Sequence, residues 1–281
     1  NFTGIFTPNR RGKSSPNTQE VFDLKGIKYN EYWGNLNGKK RNSRIKEVVE
    51  PILMFSHYWN VSENATLQTN GSYQFGKIGN SRLDFNGGSN PSPSYYQILP
   101  SYFLRYNDLS GAYNAQENFV NNGQLNWDRI FDANTTNASV ALNNAYVLYE
   151  DRNDDKQFTI NTIYNAEINN NISINGKLEY KGLRSKNFAE VLDLLGGIGY
   201  LDINNFADTE VQMQNDVLNP NRVVGVGDKF RYNFNLSSVL INAFAQVQFK
   251  YNKIDFYAAA KISKITNQRE GLYKNGRFEN N

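Results

Sequence analysis

Three oxygen-bearing residues stand at alternate positions, Asp151, Asn153 and Asp155, with Asp154 among them. Carboxylate and amide oxygens are the ligands that calcium prefers, so these three would be the first to hold a structural ion. The full calcium loop is missing, because no Gly follows at the required place and no bidentate Glu closes it. A plain acidic turn at the mouth of a strand is the competing reading. A second group gathers Tyr95, Tyr96, Tyr102, Phe103, Tyr106 and Tyr113 with Arg105, Asn107 and Asp108. Aromatic faces beside polar groups are what a sugar, a peptide or a siderophore-like ligand would meet. Tyr95, Tyr96, Tyr102, Arg105, Tyr106 and Asp108 are therefore the binding candidates, unless the aromatics serve only to pack a large loop together.

Catalysis finds little to work with. His57 is the only histidine and Cys is absent, which removes thiol chemistry, disulfides and cysteine-ligated metals. No Gly-x-Ser-x-Gly elbow occurs, and Gly225-Val226-Gly227 is too short for a dinucleotide motif. The chain is read as a non-enzyme, with calcium the one cofactor left open. Asn-x-Ser/Thr triplets, among them those beginning at Asn60, Asn134, Asn137, Asn171 and Asn235, occur as chance allows in so Asn-rich a chain. The net charge of +3 is no footprint for nucleic acid, and the basic run Lys39-Lys40-Arg41 reads as a solvated loop or rim.

The elements that must position these residues are strands. Hydrophobic residues make up only 39% of the chain, yet aromatics reach 14%, which argues against disorder. No run of 18 or more apolar residues is present, so no helix is expected to span a membrane. Alternation at period two is clear in several places. Leu67, Thr69, Gly71, Tyr73 and Phe75 lie opposite Gln68, Asn70, Ser72 and Gln74. Phe158 to Ile168 and Ile172 to Gly182 alternate around Asn169-Asn170-Asn171 and form a long hairpin. Strands are expected over 51–60, 64–77, 156–169, 171–184, 229–251 and 254–267. Around Ser237-Ser238 the apolar parity changes, which predicts a bulge or a break.

Between them, residues 1–50 read mainly as loop, with two long excursions at 78–155 and 184–228. Short helices are expected at 113–122 and 127–133, separated by Gly123. A third is expected near Phe188, Val191, Leu192 and Leu195. The tail, 268–281, reads as a polar surface loop.

Long two-faced strands with short turns on one side and long loops on the other fit a transmembrane barrel. Six segments resemble TonB-dependent outer-membrane receptors of the Bacteroidetes, in the group with a carboxypeptidase-regulatory-like extension. They are NGKKRNSR at 37–44, YQFGKIGNSRLD at 73–84, LPSYFLR at 99–105, YEDRNDDKQ at 149–157, NFAEVLDLLGG at 187–197 and VGVGD at 224–228. The resemblance implies an all-β fold, part of a large antiparallel barrel of about 22 strands with long extracellular loops. It also implies an active importer in the cell outer membrane, energised by a TonB–ExbB–ExbD complex, with a surface lipoprotein as a further partner. The cargo would be a siderophore, glycan, peptide or similar nutrient. A plug domain is not found in the chain, which is expected to be one part of a longer barrel protein. The alternative is a soluble all-β carbohydrate-binding protein whose hairpins pack face to face and whose aromatic loops hold the sugar.

Overall fold

The computed structural model describes residues 1–278. Its main sheet is antiparallel and is dominated by five long strands. These are β6 (Ile52–Ser62), β7 (Ala65–Phe85), β8 (Tyr146–Asn169), β9 (Ile172–Asp193) and β12 (Lys229–Tyr251), with β13 (Ile254–Gly271) along one edge. At the other edge β1 (Phe2–Ile5) pairs with β6, while β2 (Asn9–Gly12) pairs with β5 (Ile45–Val49), which joins β7. Two small ribbons lie apart from it: β3 (Trp33–Leu36) with β4 (Lys39–Asn42), and β10 (Tyr200–Leu201) with β11 (Val223–Val224). The helices are α1 (Gln19–Lys25), α2 (Pro100–Leu104), α3 (Leu109–Asn122), α4 (Trp127–Ser139) and α5 (Glu210–Met213).

Two-residue turns at Glu63-Asn64, Asn170-Asn171 and Asn252-Lys253 set the hairpin registers at one end of the sheet. The connections 86–145 and 194–228 cover the other end. Toward the turn end the sheet is two-faced. Tyr73 stands opposite Phe158, Ile160 opposite Tyr180 and Phe249 opposite Phe256, all on one face. Many of these apolar side chains are exposed, including Phe55, Trp59, Phe158, Leu178, Ile241 and Phe256. The opposite face is polar, with Asn70 bonded to Asn161 and Lys177 to Glu179.

Toward the loop end both faces are covered. On the first face Leu125, Trp127, Ile130, Tyr146, Leu148 and Leu195 form one core, beneath α4. On the second, Val147, Tyr149, Ala189, Val191, Tyr200, Val224 and Phe230 form another. This double coverage explains the parity change in β12. The register runs unbroken through Leu236, Ser237 and Ser238, so there is neither a bulge nor a break at that point. Instead the apolar set changes faces, because the core lies on the other side there. The actual irregularity lies between Phe230 and Asn233, where Arg231 has φ 61°.

Several expectations are corrected. Residues 1–50 hold five short strands and α1 rather than loop. Strands β7, β8 and β9 run well past the expected ends, so residues 78–85, 146–155 and 185–193 are strand. The helix expected near 188–195 is strand β9 up to Asp193. Its apolar residues go to both faces of the sheet, which mimicked helical spacing. The helices at 113–122 and 127–133 are present in longer form, and Gly123 does separate them. The tail starts as the end of β13, not as loop, and residues 279–281 lie outside the described residues.

The largest correction concerns architecture. The chain is mixed α/β, 18% helix and 53% strand, and its sheets are open, whereas an all-β part of a larger barrel of about 22 strands was expected. Strand β13 pairs only with β12, and neither β1 nor β2 meets it, so the sheet does not close on itself. No described helix is long and apolar enough to cross a membrane. The barrel importer, its outer-membrane location and its TonB–ExbB–ExbD and lipoprotein partners were implied by the family resemblance, and the mixed α/β fold with open sheets overturns them.

Candidate functional site

The tyrosine-rich segment is carried by a small helical unit over the loop end. Thr18 caps α1 by accepting the Val21 N–H, and Val21 is buried with Tyr29, Leu99 and Phe119. Glu20 then reaches the start of α2, accepting the Ser101 N–H at 2.8 Å and its hydroxyl at 2.7 Å. A carboxylate at a helix start satisfies amides that have no partner within the helix. Pro100 opens that helix, where its missing N–H costs nothing. Asp108 caps α3 by accepting the Gly111 N–H at 2.7 Å, and Ala112, Ala115 and Phe119 form its buried face. The Tyr29 hydroxyl donates to the Gly123 carbonyl at 2.6 Å and closes the unit.

On this support the tyrosines are brought together. Ring centroids lie 4.9 Å apart for Tyr95 and Tyr96, 5.9 Å for Tyr96 and Tyr102, and 5.4 Å for Tyr102 and Tyr106, all edge to face. Tyr96 and Tyr106 are 52% and 70% exposed, so the rings form a surface rather than a core. The neighbouring Tyr106 raises the Tyr102 phenol above its ordinary value, and Arg105 works against that. Desolvation, with Tyr96 beside it, raises the Tyr95 phenol. Both therefore remain hydroxyl donors at neutral pH. Arg105 is exposed at the edge of the string, whereas Asp108 is committed to its cap.

Next to the string, joined to it by the 3-10 turn Tyr96–Ile98, lies a cleft of about 190 Å³. Asn90, Asn118, Asn122, Asn126, Arg129 and Tyr146 are among the residues that line it. Arg129 donates to the Ser89 hydroxyl at 2.8 Å, and the Tyr146 hydroxyl donates to the Ser89 carbonyl at 2.8 Å. Amides and a phenol can donate to a ligand's hydroxyls or accept from them, and a guanidinium donates to them. This cleft was missed from the sequence. Its only signal was the density of Asn around Gly123.

The helix α4 fixes the cleft to the sheet through Asn134, which is fully buried. Its amide donates to the carbonyls of Tyr146 (2.8 Å), Leu194 (3.0 Å) and Leu195 (3.2 Å), and its oxygen accepts the Tyr146 N–H at 3.0 Å. The Asn134 triplet is thus a structural clamp. Trp127, also fully buried, donates from its indole to the Arg41 carbonyl at 2.9 Å, with the Arg41 guanidinium 4.5 Å from the ring centroid.

The calcium candidates do not lie in a turn. Asp151, Asn153 and Asp155 occupy alternate positions of β8, on one face, and the first and last are separated by roughly 13 Å of strand. Such spacing does not bring three oxygens to one ion. Asp151 instead pairs with Arg82 at 2.7 Å and accepts from the Tyr232 hydroxyl at 2.9 Å. Asn153 bonds to Asn187 across the strand pair. Among the described residues no group of three His, Cys, Asp or Glu is placed to hold a metal. On the opposite face Arg152 is held by Asp154 (2.8 Å), Glu190 (3.2 Å) and Glu150 (3.4 Å). Charge here reflects pairing within β8 and with its neighbours β7 and β9. His57 is exposed on β6 with Thr69 opposite it.

No family model matches the chain, and no curated protein or solved structure matches it either, so the receptor resemblance finds no support in these comparisons.

Proposed function

We propose that this protein binds a polyhydroxylated ligand, a saccharide, through the Tyr95–Tyr106 string and the amide-lined cleft beside it, without transforming it chemically. The observation that carries the reading is the pairing of exposed, mutually braced tyrosine rings with a small cleft rich in amide groups. Sugar rings offer apolar C–H faces to aromatic planes and a rim of hydroxyls to amides, which is the division of labour that ligand sites use. The edge-to-face contacts hold the phenols in fixed directions, so little side-chain entropy is lost on binding. Arg105 at the rim and Arg129 in the cleft add donors for hydroxyl oxygens.

The test is a panel of neutral hexa-saccharides (malto-, manno- and laminari-series) screened by saturation-transfer NMR against the whole chain. The reading expects transfer from sugar C–H protons to tyrosine ring protons for at least one series. Transfer confined to the exposed apolar face of the sheet, or none at millimolar sugar, would overturn it.

A further inference from the structure

On the second face of the sheet, behind the core of the loop end, lies a cavity of about 200 Å³ lined by Asp84, Asn204, Asn205, Phe206, Arg231 and Tyr232, among others. Asp84 alternates along β7 with Leu83 and Phe85, which pack against the first-face core, so this cavity and the tyrosine cleft lie on opposite faces. Its central residue is aimed by a backbone irregularity. Arg231 sits in the bulge of β12 at φ 61°, a conformation that side-chain-bearing residues seldom adopt. Bulges are a recurrent means of redirecting a side chain beside a site.

The bulge is itself held by a buried carboxylate. Asp202 accepts the Arg231 N–H at 2.9 Å, the Asn215 amide at 2.8 Å and the Arg222 guanidinium at 2.7 Å. The result is a guanidinium 3.0 Å from Asp84 and 3.2 Å from the Tyr149 hydroxyl. One guanidinium nitrogen makes both contacts, which leaves donors for a ligand. Burial, with Asp84 beside it, pushes the Tyr200 phenol up, which keeps it a hydroxyl. Phe206 stands 76% exposed at this cavity.

We infer that the Arg231–Asp84 pair, with Asn204, Asn205 and Phe206 around it, is a second saccharide subsite that grips a vicinal diol. Asp84 accepts the two hydroxyl protons, Arg231 donates to the two oxygens, and Phe206 covers the apolar face of the ring. A simple anion is disfavoured, because the Asp84 carboxylate already faces the guanidinium. The inference rests on the saccharide reading but on different residues, so the two can fail separately.

The experiment uses the whole chain with Tyr96→Ala and Tyr106→Ala, which silences the first site, titrated with malto-, manno- and laminarihexaose by calorimetry. Into that background go Arg231→Gly and Asp84→Asn. Glycine suits φ 61°, so Arg231→Gly removes the guanidinium while retaining the bulge, and its thermal melt reports that the fold persists. Binding that survives the tyrosine changes and weakens about tenfold or more in both variants is the expected result. Unchanged affinity in Arg231→Gly, or no measurable binding in the silenced background, overturns the inference. Arg231-dependent binding of inorganic phosphate or glycine tighter than of any hexaose overturns the diol assignment. If the tyrosine changes leave the affinity of the parent untouched while Arg231→Gly abolishes it, the second subsite stands and the tyrosine site falls.

Discussion

Replacing Asn134 with Leu tests whether the loop helices are fastened to the sheet as the geometry indicates. Leu is close in volume and apolar, so packing is nearly preserved while four hydrogen bonds are lost. The Leu194 carbonyl keeps the Asn144 amide at 2.6 Å and the Gly197 N–H at 3.1 Å. The Tyr146 N–H and the Tyr146 and Leu195 carbonyls lose the partner that Asn134 supplies, at a site with almost no solvent access. A buried backbone group left unpaired costs about 1–3 kcal/mol, so three give roughly 3–9 kcal/mol. That is a large share of a typical stability of about 5–15 kcal/mol. Urea unfolding followed by tryptophan fluorescence is suitable, since Trp127 is buried in the same core. Hydrogen exchange should show the loss concentrated in α4 and the 194–197 turn, with mid-sheet amides of β8 and β9 still protected. A variant within about 0.5 kcal/mol of the parent, the scatter of neutral surface changes, would refute the clamp.

Three further outcomes are expected. Gly76→Ala should destabilise by at least about 1–3 kcal/mol, read in the same denaturation assay. Gly76 has φ 140°, and an added Cβ would lie 1.9 Å from the Val49 carbonyl oxygen, a backbone atom that cannot swing away. Glu150 is buried, and desolvation raises its pKa above the usual carboxylate value, with Arg152 pulling the other way. A native pKa above the unfolded one means that this group's contribution is fully present below the unfolded value and is lost as pH rises through the native value. Melting temperature measured upward from about pH 4.5 should therefore fall less steeply in Glu150→Gln than in the parent, and an identical slope would contradict the assignment. Arg129→Ala, which removes a cleft donor and its 2.8 Å bond to Ser89, should weaken saccharide binding several-fold with little change in melting temperature.

The long hairpins were legible because period-two alternation is a local property. Phe158, Ile160 and Tyr164 against Thr159, Asn161 and Asn165 give one apolar and one polar face, which at this spacing only a strand provides. The strand ends were not legible. Asp151 to Lys156 looked like an acidic turn, since their partners Arg82, Glu190 and Lys186 lie far away in sequence. Strand β7 was expected to end at residue 77, whereas Gly76 within it admits the close approach of the Val49 carbonyl. Among the short strands of residues 1–50, β1 pairs with β6 and β5 with β7, again across distance. Closure was the deepest gap. An alternating face reads the same in an open sheet and in a barrel, and only the pairing of the edges decides between them. At the site, the tyrosines were found because they cluster in sequence. Asn118, Arg129, Asp84 and Arg231 were not, because the fold gathers them from separate elements.

The most direct test of the account is calorimetric titration of a saccharide that scores in the NMR panel, comparing the parent chain with the Tyr96→Ala, Tyr106→Ala variant. Both rings are largely exposed, so the variant should fold as the parent does. The account predicts at least about a tenfold loss of affinity, some 1.4 kcal/mol, at unchanged melting temperature. Equal affinity in the two proteins would contradict it.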